Sequence, residues 1–158
     1  MEVRVRRVRA EELPGLLPLY MRAYQGLERY GESTEEEGIG YLRWLYYNSP
    51  EGFLVAEVSG RVVGFLACDP DWRARQRKVL EIHEVVVAPE FRGRGIGRAL
   101  MEEAFRLGRA RGREVASLWV GEGNAQARAW YRKLGFKEEG RWGEWIRMCR
   151  PLAQAGPR

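Results

Sequence analysis

Val3, Val5 and Val8 alternate among arginines and predict a short first strand. Leu13, Leu16, Leu17, Tyr20, Met21 and Tyr24 then fall near helical spacing. Ser33-Thr34-Glu35-Glu36 reads as the start of a second helix, with Tyr41, Leu42, Leu45 and Tyr46 as its apolar stripe and Pro50 beyond its end. The period then drops to two. Phe53–Val58 and Arg61–Cys68 read as strands joined by the tight-turn pair Ser59-Gly60, and Val79–Val87 as a third run closed by Ala88-Pro89. A helix over about 95–111 follows, carrying Ile96, Leu100, Ala104 and Leu107 on one face. The pattern ends with a strand over 114–120, a helix over 124–134 and two more strands within 136–150. The expectation is one mixed α/β domain over residues 1–151, with six or seven strands and four helices, and a short frayed tail over 152–158.

Composition changes this picture mainly by exclusion. The 158 residues are 45% hydrophobic and 31% charged, an ordinary globular balance. The first ten residues lack the apolar core of a secretory signal, and no 18-residue uncharged apolar stretch occurs, so a cytoplasmic protein without a membrane span is expected. Cys68 and Cys149 are far apart and His83 is the only histidine, which argues against a disulfide framework and a multi-histidine metal centre. The net charge is +5, and 24 of the 27 basic residues are arginine. Arginine grips phosphate with a planar, always-charged fork, so an anionic partner is expected.

One stretch concentrates that chemistry. Val85, Val86 and Val87 lead through Ala88-Pro89-Glu90-Phe91 into Arg92-Gly93-Arg94-Gly95-Ile96-Gly97-Arg98, in the order strand, tight loop, helix. A helix start gathers unpaired N–H groups and the positive end of the macrodipole, and glycines let a diphosphate approach them. Neither familiar phosphate loop fits. A dinucleotide GxGxxG needs glycine where Arg98 or Leu100 stands, and no Gly-Lys-Ser/Thr triplet exists.

Arg92-Gly93-Arg94-Gly95-Ile96-Gly97 resembles the R/Q-x-x-G-x-G/A motif of the GCN5-related N-acetyltransferases, the GNAT superfamily. Asn124-Ala125-Gln126-Ala127-Arg128-Ala129-Trp130-Tyr131-Arg132-Lys133-Leu134-Gly135-Phe136 is similar to that family's N-x-x-A-x-x-x-Y-x-K-x-G-F helix. The likeness covers residues 53–150 well and the first fifty by element order. It implies a mostly antiparallel GNAT sheet and acetyl transfer from acetyl-CoA directly to a primary amine in a ternary complex. It also implies that the arginine-glycine loop holds the diphosphate and that pantetheine pairs with the backbone of Val85–Val87. Asn124 would hydrogen-bond the pantetheine while capping its own helix. Tyr131 would be the acid that protonates the leaving thiolate; on spacing alone it reads as a core aromatic. The resemblance requires no metal and allows a homodimer.

A lysine-like amine is free at only about one part in 2,500 at pH 7, so a base is needed. Glu81, His83 and Glu84 on the third run are the candidates. By strand alternation Glu81 and His83 share a face with Val85, and Glu84 lies on the other. The acceptor is expected between the early helices and the last two strands, among aromatics that include Tyr24, Tyr41 and Trp142. Two other readings stand beside the enzyme. One is a non-catalytic acyl-CoA-binding regulatory module on the same fold. The other is an RNA- or ribosome-associated basic module, less favoured because no RNP-like aromatic motif is present. Arg73, Arg75 and Arg77, with Arg109, Arg111 and Arg113, have no role in the loop.

Overall fold

The computed structural model describes residues 1–152. Seven strands, β1 (Arg4–Arg7), β2 (Phe53–Val58), β3 (Arg61–Ala74), β4 (Arg77–Val87), β5 (Val115–Gly121), β6 (Lys137–Trp142) and β7 (Trp145–Pro151), hydrogen-bond in the order β1-β2-β3-β4-β5-β7-β6. Pairs β1·β2, β2·β3, β5·β7 and β6·β7 are antiparallel, and β4·β5 is parallel over Leu80↔Ala116 to Ile82↔Leu118. Four helices, α1 (Leu13–Ala23), α2 (Glu35–Asn48), α3 (Ile96–Ala110) and α4 (Ala125–Lys133), complete the mixed α/β fold that the sequence predicts.

Residues cluster into two compact units: 1–68 with 84–104, and 69–83 with the chain from 105 onward. In the first, α1 and α2 bury Leu13, Leu16, Tyr20, Leu42 and Leu45 against Phe53, Phe65 and Val86. The Thr34 side chain caps α2 by accepting from the Glu37 N–H at 3.1 Å, the cap that Ser33-Thr34 signalled. Glu35, Glu36 and Glu37 form the exposed first turn, where negative charge complements the helix dipole. In the second unit, Leu80, Leu118, Phe136 and Met148 are buried. There α3 lies so close to Leu80 and Leu152 that a Cβ on Gly108 would meet them at 2.9 and 3.0 Å.

Several boundaries differ from the sequence reading; β4, expected from Val79, starts at Arg77. The strand expected to stop at Cys68 continues to Ala74, through Pro70. The hairpin it forms with β4 turns at Arg75, whose φ is 57°. Leu152, read as the start of the tail, is buried and its N–H bonds the Glu114 carbonyl at 2.8 Å. A single apolar residue after a proline gives no strand signal, so its burial is a tertiary effect. The rest of the expected tail, 153–158, lies outside the described residues.

Candidate active site

The arginine-glycine loop belongs to the first unit. β4 ends at Val87, a short 3-10 turn over Pro89–Phe91 follows, and α3 starts at Ile96. Ala88 is tied back by its N–H to the Val63 carbonyl at 2.8 Å. Gly93 and Gly95 take φ of +76° and +81°, a conformation that favours glycine, and nothing lies within 4 Å of the Cβ each lacks. The Gly95 carbonyl accepts the first helical bond, from the Ala99 N–H at 2.9 Å. The N–H groups of Ile96, Gly97 and Arg98 are thus the first of α3 and have no carbonyl one turn earlier to bond. Arg92, Arg94 and Arg98 are exposed around this open backbone, while the Ile96 side chain is 1% exposed and anchors the helix in the core. An open, glycine-lined helix start ringed by arginines fits a diphosphate. Val86 is buried, and Val85 and Val87 are half-buried, so their backbone, not their side chains, is what they can offer a ligand.

The three candidate bases on β4 occupy three different settings. Glu84 is buried on the face shared with Val86. The Tyr24 hydroxyl, at the end of α1, donates to one of its oxygens. The Tyr41 hydroxyl, on α2, donates to the other at 3.1 Å. Burial pushes the Glu84 carboxyl up to about 7, with a lesser push from the charge of Glu32, against the opposing pull of the two tyrosine bonds. Burial and the negative charge of Glu84 in turn hold both tyrosines well above the ordinary phenol range. Tyr20 stacks at a tilt on both, 5.0 Å from Tyr24 and 5.7 Å from Tyr41.

Glu81, in the second unit, is 2% exposed and fully engaged. Arg147 of β7 grips it with two nitrogens at 2.6 and 2.8 Å, and the Ser117 hydroxyl of β5 donates at 2.8 Å. The guanidinium also lies over the Trp119 ring, 5.0 Å from its centroid. His83 is half-buried with the Trp72 ring edge-on at 4.7 Å, and burial moves its pKa down, which favours the neutral imidazole.

The family helix also lies in the second unit. Asn124 caps α4, its side chain accepting from the Ala127 N–H at 3.3 Å, as its position before the helix suggested. Tyr131 is half-buried and packs its ring on Trp130 at 5.4 Å and Phe136 at 5.8 Å. Its ring therefore does pack as an ordinary aromatic would, with part of the side chain still open.

Sequence reasoning placed Tyr24 and Tyr41 among the acceptor-side aromatics but did not join them to Glu84. It missed Ser117 and Arg147 altogether. A polar residue inside each of two apolar strands was the available signal; the pairing partner was not encoded locally.

The sequence pattern of the acetyltransferase (GNAT) family matches residues 13–136. An uncharacterised N-acetyltransferase of Methanocaldococcus jannaschii is 41% identical over 150 residues, covering 94% of this chain; the chain spans 66% of that relative's length. A crystal structure from Pyrococcus horikoshii OT3 superposes with a TM-score of 0.85 at 36% identity, covering 95% of this chain and 98% of the other. The PaiA N-acetyltransferase of Thermoplasma acidophilum, solved in complex with coenzyme A, shares the fold with a TM-score of 0.76 at 22% identity, over 96% and 99% of the two chains. The chain belongs to the acetyltransferase (GNAT) family and carries its acetyltransferase domain.

Proposed function

We propose that the protein moves an acetyl group from acetyl-CoA directly to a primary amine, with no covalent enzyme intermediate. One observation carries the reading: the strand bearing Glu84, a carboxyl poised near neutrality, leads through a single 3-10 turn into the open arginine-glycine loop. A base and a diphosphate cradle on one continuous segment are what an acyl-CoA-dependent transfer to an amine needs. The coenzyme A bound to the PaiA neighbour supports the cosubstrate.

In this reading the N–H groups of Ile96, Gly97 and Arg98, with the three loop arginines, hold the diphosphate. The backbone of Val85 and Val87 aligns the pantetheine arm, with Asn124 as a further partner. The bound cosubstrate supplies the activated acetyl group. Glu84 is the base. The amine gives its proton to a tyrosine hydroxyl, Tyr24 or Tyr41, which passes its own proton to the carboxylate. Tyr131 returns a proton to the departing thiolate. Glu81 is an unsuitable base because the Arg147 guanidinium, a permanent cation with no proton to relay, grips both of its oxygens. His83 is a weaker choice because the Trp72 ring covers it.

The test is a panel of small amines and peptides with acetyl-CoA, following free thiol. An acceptor-dependent release of thiol is expected, and Glu84→Gln should lower kcat by about 10²–10⁴ with the affinity for acetyl-CoA retained. No saturable acetyl-CoA binding, or binding that survives Gly95→Trp, overturns the loop assignment. An unchanged kcat in Glu84→Gln overturns the base.

A further inference from the structure

Two of the arginines that the loop leaves over are drawn together in the second unit by one carboxylate. Asp71 on β3 is ion-paired with Arg111 and with Arg113, the latter at 3.9 Å. This sets the α3–β5 connection beside the β3–β4 hairpin. The hairpin tip carries Arg73, Arg75, Arg77 and Lys78, all exposed and with no ion pair among the described residues. The last turn of α3 adds Arg109, and the connection adds Arg111 and Arg113. Residues 69–78 and 109–113 together hold seven cations and two carboxylates, Asp69 and Asp71. That local surplus of five equals the net charge of the whole chain, so the rest of the molecule is neutral on balance.

We infer that this hairpin and the adjoining connection form a docking surface for the phosphate backbone of a nucleic acid. Two features favour that occupant. Six of the seven cations are arginine, whose fork holds phosphate oxygens in pairs. The uncharged tip residues are Ala74 and Gln76, while Trp72 is turned onto His83, so no apolar wedge is offered to a membrane and no free ring to a base. The surface grips backbone without reading sequence. The absence of an aromatic recognition motif is consistent with that role.

The experiment is fluorescence anisotropy at about 100 mM salt, with labelled ~20-nucleotide oligouridylate in one arm and ~20-base-pair duplex DNA in the other. Binding in either arm supports the proposal, and the tighter arm names the source. The variant Arg73→Ser/Arg75→Ser/Arg77→Ser/Lys78→Ser should bind at least ten times more weakly. Its log K against log salt plot should be shallower by about 3, since each single-strand phosphate contact adds ~0.7 to the slope. Acetyl-CoA affinity and thermal midpoint should stay as in the wild type, which separates this outcome from failure of the loop. Arg75→Ser/Arg77→Ser serves if the fourfold variant does not fold, with a slope change about half as large. Four outcomes overturn the proposal. They are no binding in either arm, undiminished binding by the variants, stronger binding to polyglutamate, and stronger binding to phosphatidylserine vesicles.

Discussion

The middle of β4 buries two glutamates, and the two are treated in opposite ways. Three residues apart, they leave the strand on opposite faces. Glu81 meets a permanent cation, Arg147, and a serine hydroxyl; Glu84 meets two neutral phenols. The Glu81 carboxyl has both oxygens committed, to the Arg147 guanidinium and the Ser117 hydroxyl. A buried carboxylate beside tyrosines has hydrogen bonds but no compensating charge, so burial dominates and its proton affinity climbs to about 7. Burial alone therefore says little about what an acid does; the partner decides whether it is structural or poised.

The largest effect that would break this contrast is on Glu81. Arg147→Met leaves a buried, uncompensated charge and should destabilise the fold by about 3–5 kcal/mol in urea unfolding. Replacing both partners, Glu81→Leu with Arg147→Met, should recover most of that loss. A single-variant cost below ~1 kcal/mol would mean that solvent screens the pair.

For Glu84 the expectation is a pH dependence. Its carboxyl sits higher in the folded chain than the ordinary 4.5. The folded state therefore holds its proton more tightly. The stability this supplies is complete below about 4.5 and is lost as pH rises through about 7. The full change is on the order of 3 kcal/mol, from 1.36 kcal/mol per unit. Unfolding midpoints at pH 5 and pH 9 should separate in the wild type and converge in Glu84→Gln. Parallel curves for the two proteins would count against a poised Glu84.

Tyr24→Phe and Tyr41→Phe should each cost about 1–2 kcal/mol, with smaller losses of kcat than Glu84→Gln. Each hydroxyl stabilises the charged carboxylate, so removing one should move the acid limb of the pH–rate profile upward. A downward move would contradict the geometry. The smallest effect is expected for His83→Gln, whose acid limb should match that of the wild type. Loss of the limb would transfer the base role to His83.

Much of the fold was legible because periodicity reports local packing. The helix over 35–48 was readable from its Thr34 cap and its stripe, and the loop from glycines that permit positive φ. The extension of β3 through Pro70 was not, because proline and a run of arginines argue against a strand until a partner strand fixes it. The motifs carrying the family, at Arg92–Gly97 and Asn124–Phe136, were complete in the sequence. The choice among Glu81, His83 and Glu84 was not, since alternation assigns a face but not what waits on it.

The sequence by itself determined the element order, the open, glycine-lined helix start and the family. These depend on near neighbours in the chain, through caps, turns and spacing. Tertiary structure alone decided that Arg147 meets Glu81, that Tyr24 and Tyr41 meet Glu84, and that Asp71 draws Arg111 and Arg113 to a basic hairpin. These partners lie from 40 to 66 residues apart in the chain, and only packing brings such groups within hydrogen-bond reach. Once there, the loss of water makes the identity of the partner decide the chemistry.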